Sequence, residues 1–193
     1  KGEDFLNKSP GGILPIFELD PSKAIVGCYP ILEFLQELTA TNPEEKKSSN
    51  IFGIEHYEKA KIRELTSWFN EKFYREVTKI LVDEKIIRLL LNGNEPRTNF
   101  IKVAKTNLSN HFQFINRILK SSSFLVGEIF SVADLAAASQ ISVLDYLGEI
   151  NWDMYQSIKY WYSLIKSRPS FQPLLQDRIP GFSPSSNYDN LDF

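Results

Sequence analysis

Phe130-Ser131-Val132-Ala133-Asp134-Leu135-Ala136-Ala137-Ala138 is the stretch on which the reading of this chain turns. Ser131 and Asp134 stand at capping-box spacing at the head of an apolar run. In such a box the Ser131 hydroxyl accepts from the backbone N–H of Asp134, and the Asp134 carboxylate reaches back to the N–H of Ser131. Phe130 and Leu135 occupy the outer and inner positions of a hydrophobic staple. The three alanines that follow make a slim helix that other helices can approach closely. A capping box alone only starts a helix, so the weight of this one comes from its surroundings.

Those surroundings are helical in both directions. Upstream, Ile54 to Leu91 carries Ile62, Leu65, Phe69, Phe73, Val77 and Ile80 at helical spacing, and Asn92-Gly93-Asn94-Glu95-Pro96 ends the run. Asn99 to Leu119 follows, with Val103, Leu108, Phe112, Ile115 and Leu119 predicted on one face. Downstream, the capped helix extends to Leu147 and Gly148 stops it. Tyr155 to Ile165 makes a further helix, with Tyr155, Tyr160, Trp161 and Tyr162 packing it onto its neighbours, and Ser170 is placed to cap a last short turn. The end of the chain, Arg178 to Phe193, is rich in Pro, Ser and Asn yet closes on Tyr188-Asp189-Asn190-Leu191-Asp192-Phe193. Apolar residues at such an end dock either on their own domain or on a partner.

The first forty residues read differently. Glu3 to Lys8 can form a helical turn, and Ser9-Pro10-Gly11-Gly12 breaks it. Ile13 to Leu19 reads as a strand interrupted by Pro15, Asp20-Pro21-Ser22 as a turn, and Lys23 to Val26 as a second strand. Gly27-Cys28 leads into a helix from Tyr29 to Leu38 with Pro30 in its first turn. Residues 41–53, with the charged run Glu44 to Lys47, form a linker. A hairpin and one helix bury too little surface to stand alone. The predicted division is therefore 1–40, linker 41–53, an all-helical domain 54–177 and a tail 178–193.

Composition excludes several classes. With 193 residues and a net charge of −2, nothing favours nucleic acid or an anionic membrane surface as partner. Fourteen Phe, eight Tyr and three Trp supply a sizeable core. The single cysteine, Cys28, excludes an internal disulfide framework and fits a reducing, cytoplasmic setting. No apolar run approaches a membrane span, and no signal peptide is read. His56 and His111 lie far apart among polar residues and make no metal motif, so both are read as surface or packing residues. Cys28, near a helix N-terminus, is either an activated thiol or an inert one.

Taken in order, these elements resemble the glutathione S-transferase superfamily. The core helix of that fold carries a G-x-x-x-S-x-A-D run like Gly127 to Asp134. The resemblance implies a mainly α, α+β fold, with a partial thioredoxin-like N-terminal segment followed by an all-α C-terminal domain. Ile13-Leu14-Pro15 is similar to the strand that carries the family's cis-proline, where the residue before proline pairs its backbone with glutathione. On that resemblance Leu14, Pro15, Gly27 and Cys28 are the remnant of a glutathione site. The family places Glu or Gln and then Ser where this chain has Gly27-Cys28, which removes the group that holds the γ-glutamyl end. The family's first β-α-β unit, which supplies the Ser, Tyr or Cys that activates the thiol, is expected upstream of Lys1, so no catalytic residue is assigned here. The resemblance further implies that the helix carrying Trp68, Phe69, Phe73 and Tyr74 lines the hydrophobic-substrate side of a cleft; from the residues alone, that stripe reads as core or dimer surface.

Within the superfamily, the run from Trp68 to Thr78, the Leu144 to Gly148 and Ile165 to Arg178 segments and the tail are similar to a bacterial branch that binds the division GTPase FtsZ. That likeness implies a non-catalytic FtsZ-binding homodimer, with Tyr188, Leu191, Asp192 and Phe193 facing the partner. The alternative is a working transferase with glutathione as its cosubstrate.

Overall fold

The computed structural model describes residues 2–39 and 50–191; most of the predicted linker, including Glu44 to Lys47, and the tail residues Asp192 and Phe193 lie outside the described residues. Contacts divide the chain into two units, Lys1–Ile54 and Glu55–Phe193.

The first unit begins with α1 (Gly2–Lys8), whose acidic first turn and terminal Lys8 suit its dipole. β1 (Ile16–Asp20) and β2 (Lys23–Val26) pair antiparallel, Ile16 opposite Val26 and Phe17 opposite Ile25. The Asp20 carboxylate accepts from the backbone N–H and the hydroxyl of Ser22, which makes the tight turn. The strand starts at Ile16 rather than Ile13, because Pro15 brings no N–H to a ladder. Helix α2 (Cys28–Thr39) follows the hairpin, and Phe34 packs on Phe17 with ring centroids 6.1 Å apart.

The second unit is helical. A rod of residues 56–91 begins as α3 (His56–Ser67), capped reciprocally by Glu55 and Glu58. It widens over Trp68–Thr78 into turns closed by i→i−5 hydrogen bonds, tightens to α4 (Lys79–Val82) and widens again over Asp83–Leu91. The widening changes the period of the buried face. Leu65, Phe69, Phe73, Val77 and Leu81 recur every fourth residue, and none is more than 2 % exposed. A regular α-helix of 3.6 residues per turn would rotate that row off the core; wider turns hold it in line. This corrects the 3.6-residue expectation at one end: Leu81 is buried where Ile80 was predicted, and Ile80 is only half-buried.

Helices α5 (Thr98–Leu119), α6 (Val132–Tyr146) and α7 (Gln156–Lys166) complete the bundle, followed by a short 3₁₀ turn Gln172–Gln176. In α5 the inward row contains Ala104, Leu108, Phe112, Ile115 and Leu119, whereas Val103 faces outward at 55 % exposure. The last turn is entered through Phe171, not Ser170. Helix α6 is the centre of the unit, contacting α3 and the Trp68–Thr78 segment, and Ala133, Ala137 and Ala138 are fully buried on it. Small side chains are what let these helices approach so closely.

Candidate functional site

The capping box at the head of α6 forms, and it is the hub of a buried network. Asp134 Oδ2 accepts from the Ser131 N–H and hydroxyl, both at 2.9 Å. Its Oδ1 accepts from the Leu125 N–H and from Trp161 Nε1, also both at 2.9 Å. Four donors thus converge on one fully buried carboxylate, tying the 124–127 turn, α6 and α7 together. Burial pushes the Asp134 carboxyl above its ordinary range, while these hydrogen bonds pull it back. Nothing in this arrangement leaves the carboxylate free for chemistry; its role is structural.

In the first unit the Leu14–Pro15 peptide bond is cis. Leu14 is 70 % exposed, and the Pro15 carbonyl accepts from the Gly27 N–H at 2.9 Å, which brings residues 14–15 and 27–28 side by side. Gly27 has φ +96°, a conformation open to glycine at no steric cost. Cys28 opens α2 and is exposed. The four predicted remnant residues are therefore brought together. The donor set nevertheless does not fit glutathione as the family holds it. Gly27 offers no side chain to a γ-glutamyl ammonium, and Cys28 offers no carboxylate.

Of the predicted tail residues, Tyr188 and Leu191 are among the described ones. Tyr188 is 3 % exposed: its ring packs on Tyr146 at 4.9 Å and its hydroxyl donates to the Leu174 carbonyl at 3.1 Å. Leu191 is half-buried. Residues 178–191 run across their own unit as a strap. Tyr146 accepts from the Ile179 N–H and donates to the Phe182 carbonyl, both at 2.8 Å, and Arg178 pairs with Asp189 at 2.6 Å. The clasp is Lys166, fully buried, whose Nζ donates to the carbonyls of Asn187 (2.8 Å) and Asn190 (2.9 Å) and to Asp145 Oδ2 (3.3 Å). Trp152 Nε1 donates to the other Asp145 oxygen at 3.1 Å. Burial lowers the pKa of Lys166 and raises that of Asp145, each partly offset by its partner.

A groove of about 510 Å³ opens between the Trp68–Thr78 segment and α5. Its floor is His111, which sequence reading left as surface or packing. The Nδ1 atom accepts from Trp68 Nε1 at 3.1 Å, and Nε2 lies 3.0 Å from Glu76 Oε2. A donor on one side and a carboxylate on the other select the Nε2–H tautomer. Lys72 forms an ion pair with the same Glu76. The Asn107 amide donates at 3.1 Å to the Glu76 carbonyl, within the wide turns. Of the predicted aromatic stripe, Phe69 and Phe73 are core, Tyr74 is exposed and Trp68 lines this groove. No local signal announces His111, because its partners lie 43 and 35 positions away; only its four-residue offset from Asn107 on α5, which faces the same rod, could have suggested it.

The family model for the glutathione S-transferase C-terminal domain matches residues 82–178. FtsZ-localized protein A of Caulobacter vibrioides is 36 % identical over 98 % of this chain and 82 % of its own length. Among solved structures, a glutathione S-transferase from Sinorhizobium meliloti 1021 is 38 % identical with a TM-score of 0.86, covering 98 % of this chain and 83 % of that one. FzlA from C. crescentus is 34 % identical with the same TM-score, covering 98 % and 82 %. The chain belongs to the glutathione S-transferase family. Its fold is the one expected of it, a thioredoxin-like N-terminal part and a helical C-terminal domain. Among the described residues no helix is long and apolar enough to cross a membrane, and no His, Cys, Asp and Glu cluster could hold a metal ion.

Proposed function

We propose that this chain is a non-catalytic, cytoplasmic member of the family that binds FtsZ filaments in bacterial cell division, acting as a homodimer. The observation that carries this reading is the 36 % identity, over nearly the whole chain, to FtsZ-localized protein A. The Gly27-Cys28 pair supports it, since glycine leaves the γ-glutamyl end of glutathione without a side-chain anchor. The tail contact is assigned to Leu191, Asp192 and Phe193, because Tyr188 is already committed to its own unit. Co-sedimentation with polymerised FtsZ tests the reading. Enrichment in the pellet is expected, and recovery in the supernatant alone would count against it.

A second reading, an active glutathione transferase, is favoured by the exposed Leu14 beside Pro15 and by the 38 % identity to the Sinorhizobium meliloti glutathione S-transferase. Its test is conjugation of glutathione to an aromatic electrophile by the purified protein. Turnover above the uncatalysed rate supports it, and its absence across several electrophiles removes it.

A further inference from the structure

A pocket of about 350 Å³ opens in the helical unit where the end of α5, the 121–128 turn and the first turns of α7 meet. Its volume lies within the range of small-molecule sites, and it shares no residue with the Leu14 to Cys28 set. The Asp134 hub fixes its walls. Trp161, buried in the lining, gives its indole N–H to Asp134 at 2.9 Å, and the turn that leads to Glu128 is held to the same carboxylate through the Leu125 N–H. The Phe124 N–H closes that turn on the Gly127 carbonyl at 3.0 Å. The Ser121 and Ser122 hydroxyls donate to the Ile118 carbonyl at 3.1 and 2.9 Å, which fastens the chain where it leaves α5. A ligand therefore meets walls already in place, and less ordering entropy is lost on binding.

Two opposite charges line this pocket without meeting. Lys120 stands at the end of α5 and Glu128 after the turn, and among the described residues neither forms an ion pair. Glu128 is nonetheless held in position, because its Oε2 accepts from the Ser123 hydroxyl while Oε1 stays open. The half-buried Ser157 hydroxyl lines the same space and has no hydrogen-bond partner among the described residues. Leu119 and the Tyr160 ring, which is 68 % exposed, supply apolar surface. A simple anion would be repelled by Glu128 and a simple cation by Lys120, whereas a molecule of both signs satisfies the two at once. An apolar side chain on that molecule has Leu119 and Tyr160 to lie against.

We propose that this pocket binds a small zwitterion, a free α-amino acid with an apolar side chain, its carboxylate on Lys120 and its ammonium on Glu128. The test is a calorimetric titration of the full chain with L-phenylalanine. Beside it run 3-phenylpropanoate, which lacks the ammonium, and 2-phenylethylamine, which lacks the carboxylate. Charges this exposed contribute modestly, so one saturable site with a millimolar Kd is expected for phenylalanine, with each analogue weaker by about threefold or more. Glu128→Gln weakens phenylalanine by a similar factor and leaves 3-phenylpropanoate no weaker. Lys120→Met weakens phenylalanine likewise and leaves 2-phenylethylamine no weaker. Both side chains are exposed, so the Tm of each variant is expected to stay at the parent value, and the analogue series on the parent chain decides independently of any variant. Equal affinity for the three ligands, no saturation in the millimolar range, or unchanged phenylalanine binding in either variant would overturn the assignment.

Discussion

His111 holds one tautomer because its two ring nitrogens face opposite chemistry, an indole N–H and a carboxylate. Burial pushes its pKa below the ordinary value, with the Glu76 charge pulling the other way. The unfolded chain therefore takes up a proton near its usual pKa while the folded chain resists it. This contribution to stability is complete above the unfolded pKa and declines as pH falls through the folded one. Glu76 is itself held low, by Lys72 first and His111 second, so its share persists to more acid pH. The urea midpoint is accordingly expected to fall between about pH 7 and pH 5, with a shallower fall in His111→Gln. Parallel pH profiles for the two proteins would contradict the assignment. Asp134 sets a second test at this scale. Asp134→Ala strands the N–H groups of Leu125, Ser131 and Trp161 in the core. A loss of about 3 kcal/mol or more in urea unfolding is expected, since each buried donor left unsatisfied costs about 1–3 kcal/mol. Asp134→Asn keeps acceptor capacity and should lose less.

Elements in this chain owe their placement to features of very different range. The α6 capping box was legible from the sequence because Ser131 and Asp134 are three residues apart and need no tertiary partner to be recognised. The cap of the final turn was not, since Phe171 enters it through packing on Tyr162 rather than through a side-chain cap. The buried row of the 56–91 rod was read correctly through Val77 and then slipped by one residue, from Ile80 to Leu81. The wide turns that cause the slip have no signature in the pattern of apolar residues, which serves a regular helix almost as well up to that point. The same turns set Trp68, Lys72 and Glu76 in one row, and so shape the groove. The tail left docking on itself and docking on a partner equally open, because the residue that decides, Lys166, carries no mark of being buried. Its ammonium depends on two tail carbonyls. Deleting residues 187–193 removes both and the Tyr188 ring, so about 3 kcal/mol or more should be lost. For a chain of this size that corresponds to a fall in Tm of about 10 °C. Thermal unfolding followed by circular dichroism checks it; an unchanged Tm would mean that the strap contributes nothing.

At the scale of the whole molecule, family membership and function separate. The second unit keeps the family's helical architecture, with its polar hubs at Asp134 and Lys166 fully occupied in holding helices and strap together. The first unit brings residues 15 and 27 into backbone contact, and glycine puts no side chain there. A shared fold does not fix function, so the two readings are separated by binding measurements. On the protein-binding reading, glutathione titrated calorimetrically into the protein should give no heat in the micromolar range, and a micromolar Kd would return weight to the enzyme reading. FtsZ binding is tested by pelleting the chain with FtsZ assembled in GTP, set beside FtsZ kept unassembled in GDP. Saturable recovery in the pellet is expected only where polymer forms. Equal recovery in the supernatant under both nucleotides, with well-folded protein, would contradict it.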